Sequence, residues 1–185
     1  MKLETQLEKL AALGLCLNEG ITIDDLLHSL DRSVFEANPF DSILHTLGIE
    51  VEREPWGRWM CDRVWNFDTE CIYSTGDYVN IVKRLCLLTG NTQVVNILDF
   101  VDLDEGTAWL EYSIDSRKQR HEIEVNDDWA DTLALTYVME DLQQDDKQFY
   151  TKDNGQAMLL FYLDRHTAIA LNDLCDDALE PVIPS

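Results

Sequence analysis

The chain has 185 residues, of which 36 are acidic and 14 are lysine or arginine, so its formal net charge is −22. A hydrophobic fraction of 45% supplies enough apolar side chains for a packed core. The acids are interleaved with apolar residues along the whole chain, which argues against a disordered acidic tail. No basic patch is present to displace counterions from phosphates. We therefore expect that the chain does not bind nucleic acid or an anionic membrane directly.

The cysteines indicate a reducing compartment. They are odd in number and widely spaced, and no pair has the C-x-x-C spacing of metal ligands. The opening MKLETQLEKL lacks the apolar segment of a secretory signal, and the least polar later stretch, which starts at Leu85, is broken by Gly90 and Asn91. We therefore expect reduced thiols in a cytoplasmic protein that does not enter a membrane.

The first fifty residues are predicted to be helical. Leucines recur every three or four residues from Leu3 to Leu13, which places them on one face of a helix that Gly14 can end. Thr22 followed by Asp25 has the spacing of a second helix start.

Two further helix signals follow before residue 50. Ser33 and Glu36 fit the capping-box pattern, in which a hydroxyl and a carboxylate each satisfy a backbone amide. Pro39 restarts the chain, since proline disfavours helix in the residue before it. Ile43 begins the apolar face of the next helix, and Gly48 closes it.

Beyond Val51 the pattern indicates strands as well as helices. The alternating WNFDTECIY predicts a strand with Trp65, Phe67 and Ile72 among its buried residues. Asp77 can then cap a helix that runs through Leu88. Next, VVNILDFVDLD, TAWLEYSID and RHEIEVN read as three strands whose short connections favour an antiparallel meander.

A helix is expected to begin at Asp128 within EVNDDWADTL. Asp127 or Asp128 can accept a hydrogen bond from an early amide, and Asp131 then lies in the first turn, where the helix dipole favours an acid. The apolar residues of this helix are expected to form one broad inner face: Trp129, Leu133, Leu135, Tyr137, Val138 and Leu142.

The last part of the chain is predicted to be a hairpin, with a turn at Asp153 to Gly155, followed by a short strand or helix over 167–171 and a loose tail, EPVIPS. These elements predict an α+β fold, with N-terminal helices followed by a mostly antiparallel β-sheet with packed helices. We expect one domain over residues 1–185, helical over 1–50, sheet-containing over 51–180 and ending in a tail over 181–185.

No motif specific to an enzyme, a metal or a cofactor is present. DLDEG resembles the start of a calcium loop, but Gly106 and Ser113 stand where ligands are needed. HEIEV has Val125 in place of the second histidine of a zinc helix. We therefore predict no catalytic residue, no metal and no cofactor, and a protein that is not an enzyme.

One enzymatic alternative stays open. Asp99, Asp102, Glu122 and Glu124 lie on predicted neighbouring strands, and carboxylates held close together raise one another's pKa, as in glycosidases. A carboxylate-dependent hydrolase would need two or three of these groups in one concave site.

A protein-binding surface is the alternative that the charge favours. The candidate acids form two groups along the chain, one over residues 99–105 and the other over residues 122–131. A meander would bring both groups toward one face, where they could meet a basic partner. Trp56 and Trp59 flank Gly57-Arg58 in a loop-like segment and are candidate aromatic anchors. The predicted partner-binding residues are Asp99, Asp102, Asp104, Glu105, Glu122, Glu124, Asp127, Asp128, Asp131, Trp56 and Trp59.

The layout LLHSLDRSVFEANPFDSILHTLG, followed by an α+β portion with WNFDTECIY and NDDWADTL, resembles the immunity proteins of bacterial contact-dependent growth inhibition and related polymorphic toxin systems. This resemblance extends to a class of small acidic proteins and assigns no binding residue. It implies a protein that neutralises a cognate toxin, commonly a nuclease with a basic cleft, by tight complementary binding. A regulatory or adaptor protein that binds another cytosolic partner has the same sequence features and remains the alternative.

Overall fold

The structure is a computed structural model that describes residues 1–144, 146–154, 157–175 and 179–183. The described residues form seven helices and seven strands, and the strands lie in one four-stranded and one three-stranded sheet. Four helices precede the first strand, and the sheets are antiparallel. The predicted α+β fold is confirmed.

The helices are α1 (Leu3–Ala12), α2 (Ile23–Ser29), α3 (Arg32–Ala37), α4 (Asp41–Leu47), α5 (Asp77–Thr89), α6 (Thr132–Leu142) and α7 (Arg165–Leu174). The strands are β1 (Val64–Asp68), β2 (Val95–Asp102), β3 (Thr107–Ile114), β4 (Arg117–Ile123), β5 (Lys147–Asn154), β6 (Ala157–Asp164) and β7 (Glu180–Pro181).

The chain divides into two compact units. The first unit comprises Met1–Phe67 with Asp146–Ser185, and the second comprises Asp68–Asp145. The expectation of one domain over residues 1–185, with divisions near residues 50 and 180, stays a prediction.

The first unit packs helices against the sheet β1-β6-β5-β7. Its core joins leucines of α1 and α4 to the aromatic and aliphatic side chains of β6, so residues from both ends of the chain share one apolar interior. Burial of this surface is the main source of the unit's stability, at roughly 25 cal/mol per Å² of apolar area.

A fully buried amide, Gln6, joins three helices of this unit. Its Nε2 donates to the carbonyl oxygen of Phe35 at 2.8 Å, and its Oε1 accepts from the backbone nitrogen of Phe40 at 2.8 Å. Phe40 has a φ of 71°, a left-handed conformation that is uncommon for a bulky residue. The Gln6 hydrogen bond therefore helps to hold a strained residue directly before α4.

The helix starts of this unit agree only in part with the sequence. Asp25 accepts hydrogen bonds from the backbone nitrogen and the hydroxyl of Thr22 at 2.8 and 2.9 Å, which confirms the start of α2. The capping box predicted at Ser33 is wrong, because α3 begins at Arg32 and Ser33 lies inside it. Glu36 instead accepts from the backbone nitrogen of Leu3 at 3.2 Å, so its carboxylate serves the start of α1.

Gly48 ends α4 for a reason that differs from the usual left-handed glycine cap. Its φ is −86°, which any residue adopts. Its carbonyl oxygen accepts from the backbone nitrogen of Asn66 at 2.8 Å, and a Cβ at Gly48 would collide with that nitrogen. The close approach of β1, and not the backbone angle, therefore requires glycine here.

The C-terminal part of the first unit contains a confirmed hairpin and two differences. Strands β5 and β6 pair antiparallel from Lys147↔Asp164 onward, but β5 runs through Asn154, so Asp153 and Asn154 lie in the strand and not in the predicted turn; Gly155 lies outside the described residues. The segment 167–171 belongs to α7, so the helical alternative applies. The tail is not loose at its start, because Pro181 pairs with Tyr150 in β7; residues 184–185 lie outside the described residues.

The second unit contains the predicted meander. Its sheet has the order β2-β3-β4, with both pairs antiparallel, and α5 and α6 pack against it.

Trp65 and Phe67 are buried in β1 of the first unit as predicted, but β1 ends at Asp68, so the buried Ile72 follows the strand instead of lying within it.

Strand alternation gives this three-stranded sheet an inner and an outer face. Val101, Ala108, Leu110 and Ile123 are buried on the inner face, on which the helices lie. On the outer face, the paired residues Phe100, Trp109 and Glu122 run across the three strands. The β2–β3 turn lies at one end of the strands, and the β3–β4 turn lies at the opposite end.

Candidate functional site

The strand register places members of both predicted acidic groups near one end of the second unit's sheet. Val101 pairs with Ala108, which pairs with Ile123, so these three residues form one row across the sheet. Asp102 lies in the next row outward on β2, and Glu124 follows Ile123 at the end of β4. Since neighbouring strands are about 4.8 Å apart, the Cα atoms of Asp102 and Glu124 are about 10 Å apart.

We call this set of carboxylates the acidic end. Asp104 and Glu105 are exposed in the β2–β3 turn, and Asp102 accepts from the backbone nitrogen of Glu105 at 3.0 Å, which fixes the turn. Glu122 and Glu124 are also exposed. The acidic end consists of Asp102, Asp104, Glu105, Glu122, Glu124, Asp127 and Asp128.

Two of the three basic residues of the sheet lie in the β3–β4 hairpin, away from the acidic end. Arg117 and Lys118 lie in the opposite hairpin, where Lys118 contacts Glu111 at 2.6 Å. Arg120 lies over the ring of Trp109 at 4.4 Å from the centroid and contacts Glu122 at 3.1 Å. Arg117 and Lys118 therefore lie at the end of the sheet opposite to the acidic end, whereas Arg120 pairs with Glu122 of the acidic end itself.

Asp99 has a structural role, which corrects its assignment to the partner-binding group. Its side chain is buried, and its carboxylate oxygens accept from the backbone nitrogens of Gly76, Tyr78 and Val79 at 2.7, 2.9 and 3.3 Å. These amides lie at the start of α5, so Asp99 caps that helix from a neighbouring strand. Alternation also turns Asp99 away from Asp102, which removes one carboxylate from the proposed hydrolase arrangement.

Asp131 also serves a helix, and the predicted start of α6 at Asp128 is four residues too early, since the helix begins at Thr132. Asp131 is the N-cap and accepts from the backbone nitrogen of Ala134 at 3.0 Å and from that of Glu124 at 2.9 Å. Asp128 precedes the helix, and its carbonyl oxygen accepts from the backbone nitrogen of Ile72 at 2.9 Å. The carboxylates of Asp127 and Asp128 are therefore not the cap that the sequence suggested.

The predicted tryptophan anchors belong to the other unit. Trp56 is exposed at 67% of its surface, and Trp59 is partly buried, with its backbone bridged to Glu50. Both lie in the first unit, whereas the acidic groups lie in the second. A joint role for these tryptophans and the acids stays a prediction.

An exposed apolar stripe lies beside the acidic end, and the prediction that its residues face the protein interior is wrong. Trp129, Leu133 and Tyr137 are exposed at 36%, 62% and 45% of their surfaces. At 100° per residue, Leu133 and Tyr137 lie on the side of α6 opposite to Leu135 and Val138, which are buried. A helical projection of the sequence would have revealed two apolar faces, of which only one can face the core.

A small cavity separates this stripe from the acidic end. Its volume is about 250 Å³, and it is lined by Glu124, Asn126, Trp129, Ala130, Asp131, Thr132 and Leu133. Trp129, one of its lining residues, forms backbone bridges to Glu70 and Asn126. The sequence predicts Glu124 and Asp131 as partner contacts and Trp129 and Leu133 as inner-face residues, but it gives no sign that these four residues border one cavity.

Two titratable groups of this unit, Cys71 and Tyr78, have raised pKa values, mainly because they are buried and further because carboxylates lie near them. Burial first, and then the negative charges of Asp68, Asp77 and Asp128, raise the pKa of Cys71 to about 11. This thiol is therefore protonated at neutral pH and is a poor nucleophile. Burial also raises the pKa of Tyr78 to about 12, although the amide of Asp131 donates to its hydroxyl oxygen and opposes the shift.

The geometry of the described residues offers no group of three or more histidine, cysteine, aspartate or glutamate side chains arranged to hold a metal ion. Within the same residues, no helix has both the length and the apolar composition needed to cross a membrane. Comparison of the chain with protein-family models, curated proteins and solved structures yields no match.

Proposed function

We propose that this chain is an acidic, cytoplasmic binding protein that neutralises a basic toxin domain, as immunity proteins of polymorphic toxin systems do. The observation that carries the proposal is the acidic end of the second unit. Two separate parts of the sequence place exposed carboxylates there, near one end of the sheet. Arg117 and Lys118 lie in the opposite hairpin, so they neutralise this edge little.

The chemistry of a nuclease toxin suits such an edge. An enzyme that attacks RNA or DNA presents lysine and arginine side chains to phosphates. Carboxylates fixed at strand ends can take the place of those phosphates, and a negative field accelerates the encounter with a basic surface. The net charge of −22 adds long-range attraction, and the rigid turn at Asp102 and Glu105 keeps the carboxylates in fixed positions.

The first test is capture of the partner. The tagged chain is used to pull down proteins from its native organism at low salt, and the bound proteins are eluted with rising salt and identified by mass spectrometry. We expect one basic toxin domain that leaves only at high salt. Capture of an unrelated regulatory protein, with no toxin gene beside the gene for this chain, would replace the proposal with the adaptor alternative.

The second test compares two charge reversals of equal size. One variant carries Asp104→Lys, Glu105→Lys and Glu124→Lys at the acidic end, and the control carries Glu8→Lys, Glu19→Lys and Asp173→Lys, all exposed in the first unit. The acidic-end variant should weaken partner binding by at least tenfold and flatten its salt dependence, whereas the control should change both much less. Equal effects would mean that only total charge matters.

A further inference from the structure

The cavity next to Trp129 has the size and composition to receive one long cationic side chain. Its volume of about 250 Å³ is below the range of about 300–1,000 Å³ that drug-sized ligands occupy. Two of its lining residues, Glu124 and Asp131, are acidic, and no described lining residue is a lysine or an arginine. A single side chain therefore fits this site better than a cofactor does.

Trp129 supplies an aromatic wall for such a cation. Cations bind to indole faces within about 6 Å of the ring centroid, and tryptophan is the best of the aromatic residues for this contact. The same unit already contains one such pair, in which the guanidinium of Arg120 lies 4.4 Å from the centroid of the Trp109 ring. Trp129 remains partly exposed and borders an open cavity instead of a filled contact.

The carboxylate of Asp131, one of the lining residues, is held in place before any partner arrives. Asp131 accepts from the backbone nitrogens of Ala134 and Glu124, so its position is fixed by the start of α6 and the end of β4. Its negative charge offsets the positive end of the α6 dipole, which would otherwise repel a cation. Asp127 and Asp128 lie directly before Trp129 and add to the negative field.

The apolar stripe continues from the cavity along α6. Leu133 borders the cavity, and Tyr137 follows one turn later, so an apolar track of about 6 Å along the helix axis leads away from it. Exposed apolar patches with a polar rim mark interaction sites, and tryptophan and tyrosine are enriched among interface hot spots. Glu140 lies exposed beyond Tyr137, so acids border the track at both ends.

We propose that the cavity beside Trp129 binds one lysine or arginine side chain of a basic partner, whose apolar side chains lie along Leu133 and Tyr137. This inference rests on the proposed function, because it specifies where that partner makes its central contact. It adds a contact of different chemistry from the acidic end, since the cation is held by an aromatic face as well as by carboxylates.

The test uses small probes with matched charge and shape. N-acetyl-arginine methylamide and N-acetyl-lysine methylamide are titrated into the full chain, with N-acetyl-citrulline methylamide as the neutral analogue of arginine. The readout is the NMR signal of each of the five tryptophan indole N–H groups, assigned with single Trp→Phe variants. The Trp129 signal should shift in a saturable way with both cations and remain still with citrulline. Equal shifts with citrulline, or no shift at all, would overturn the inference.

Two single variants locate the effect within the site. Glu124→Gln keeps the aromatic wall and should weaken the arginine probe about two- to fivefold, the change expected for one partly exposed carboxylate. Asp104→Asn is the control, because it removes a charge of the acidic end outside the cavity and should leave the probe's affinity unchanged. Equal weakening by both variants would show that a diffuse field attracts the probe, and the cavity would then have no role.

The captured partner separates this inference from the proposed function. Trp129→Leu and Leu133→Ser, each checked by circular dichroism, should weaken its binding about tenfold or more if the stripe is the central contact. Toxin capture with unchanged affinity in both variants would overturn the inference and leave the function intact. Conversely, probe binding at Trp129 without any basic partner in the pull-down would refute the proposed function and show that the cavity binds cations.

Discussion

The two units handle their carboxylates in different ways, although both are strongly acidic. Residues 68–145 hold 17 acidic residues and 5 lysines or arginines, and the rest of the chain holds the remaining 19 and 9. In the first unit, cations and acids pair within the fold: Arg53 contacts Asp25 at 2.8 Å, and Lys152 contacts Asp41. In the second unit, the sheet cations Arg117, Lys118 and Arg120 also pair with acids of the sheet, but none of these pairs includes Asp104 or Glu105 of the β2–β3 turn.

This difference separates structural acids from available ones. Asp25 and Asp99 are both buried, and each is held by several donors. Asp104 and Glu105, by contrast, lie in an exposed turn. The acids of the chain thus form two populations, a buried one held by donors within the fold and an exposed one that includes the acids of the β2–β3 turn. The predictions below test whether the division is real, from the largest expected effect to the smallest.

The core of the first unit should be the most sensitive to substitution. Phe35 is fully buried, so Phe35→Ala should lower the free energy of unfolding by about 3–5 kcal/mol, because it removes apolar burial and leaves a cavity. Val34→Ala is the matched control one residue earlier, where the side chain is 40% exposed, and it should cost about 0.5 kcal/mol or less. Urea denaturation of both variants measures the difference, and similar midpoints would contradict the assigned core.

The buried acid of the second unit should come next. Asp99→Ala removes the acceptor of three backbone amides at the start of α5 and should lower the free energy of unfolding by about 2–3 kcal/mol. Asp104→Ala, in the exposed turn of the same sheet, should change it by less than about 0.5 kcal/mol. If both substitutions cost the same, the distinction between structural and available acids in this unit is wrong.

The buried acid of the first unit should make stability depend on pH. Burial alone would raise the pKa of Asp25, but the amide and hydroxyl of Thr22 and the guanidinium of Arg53 outweigh it and lower the pKa from 3.8 to about 2. A lowered pKa in the folded state means that the stabilisation is complete above pH 3.8 and is lost as the pH falls toward 2.

Asp25→Asn should therefore cost about 1–2 kcal/mol at neutral pH, a value reduced from the full shift because Arg53 is partly exposed. The gap between wild type and variant should narrow as the pH falls from about 4 to 2. Asp24→Asn, the exposed neighbour in α2, serves as the control and should show a gap of about 0.5 kcal/mol. A gap for Asp25→Asn that stays constant with pH would disprove the ion pair.

The smallest effect should come from the stripe that the sequence had assigned to the interior. Leu133→Ala should change the free energy of unfolding by less than about 0.5 kcal/mol, because the side chain is already exposed. Leu135→Ala, two residues away on the buried side of α6, should cost about 2–5 kcal/mol. If Leu133→Ala lowered the free energy of unfolding more than Leu135→Ala, Leu133 would belong to the core, and the exposed apolar stripe along α6 would not exist.

Much of the fold was predictable because its signals are local. The leucine spacing before Gly14, the pair Thr22 and Asp25, and the alternation in β2, β3 and β4 each depend on residues a few positions apart. The meander also implied that both acidic groups could meet, and the register places them at one end of the sheet. Such patterns follow from helix and strand periods alone, so one sequence is enough to read them.

The candidate site was only partly predictable because its decisive contacts join distant positions. Asp99 caps a helix that starts more than twenty residues earlier, and Gln6 bonds to Phe35 and Phe40 across 29 and 34 positions. Nothing in the local sequence around Asp99 distinguishes it from the exposed Asp104. Burial and hydrogen bonding decide between them, and both depend on which segments the fold brings together.

The sequence by itself therefore determined the α+β class, the order of the elements and the acidic character of the surface. The tertiary structure decided which acids are buried, which apolar face of α6 stays exposed, and that Glu124, Trp129 and Asp131 border one cavity. The reason is physical: periodicity fixes how side chains alternate within an element, but only packing against other elements determines which side loses its contact with water.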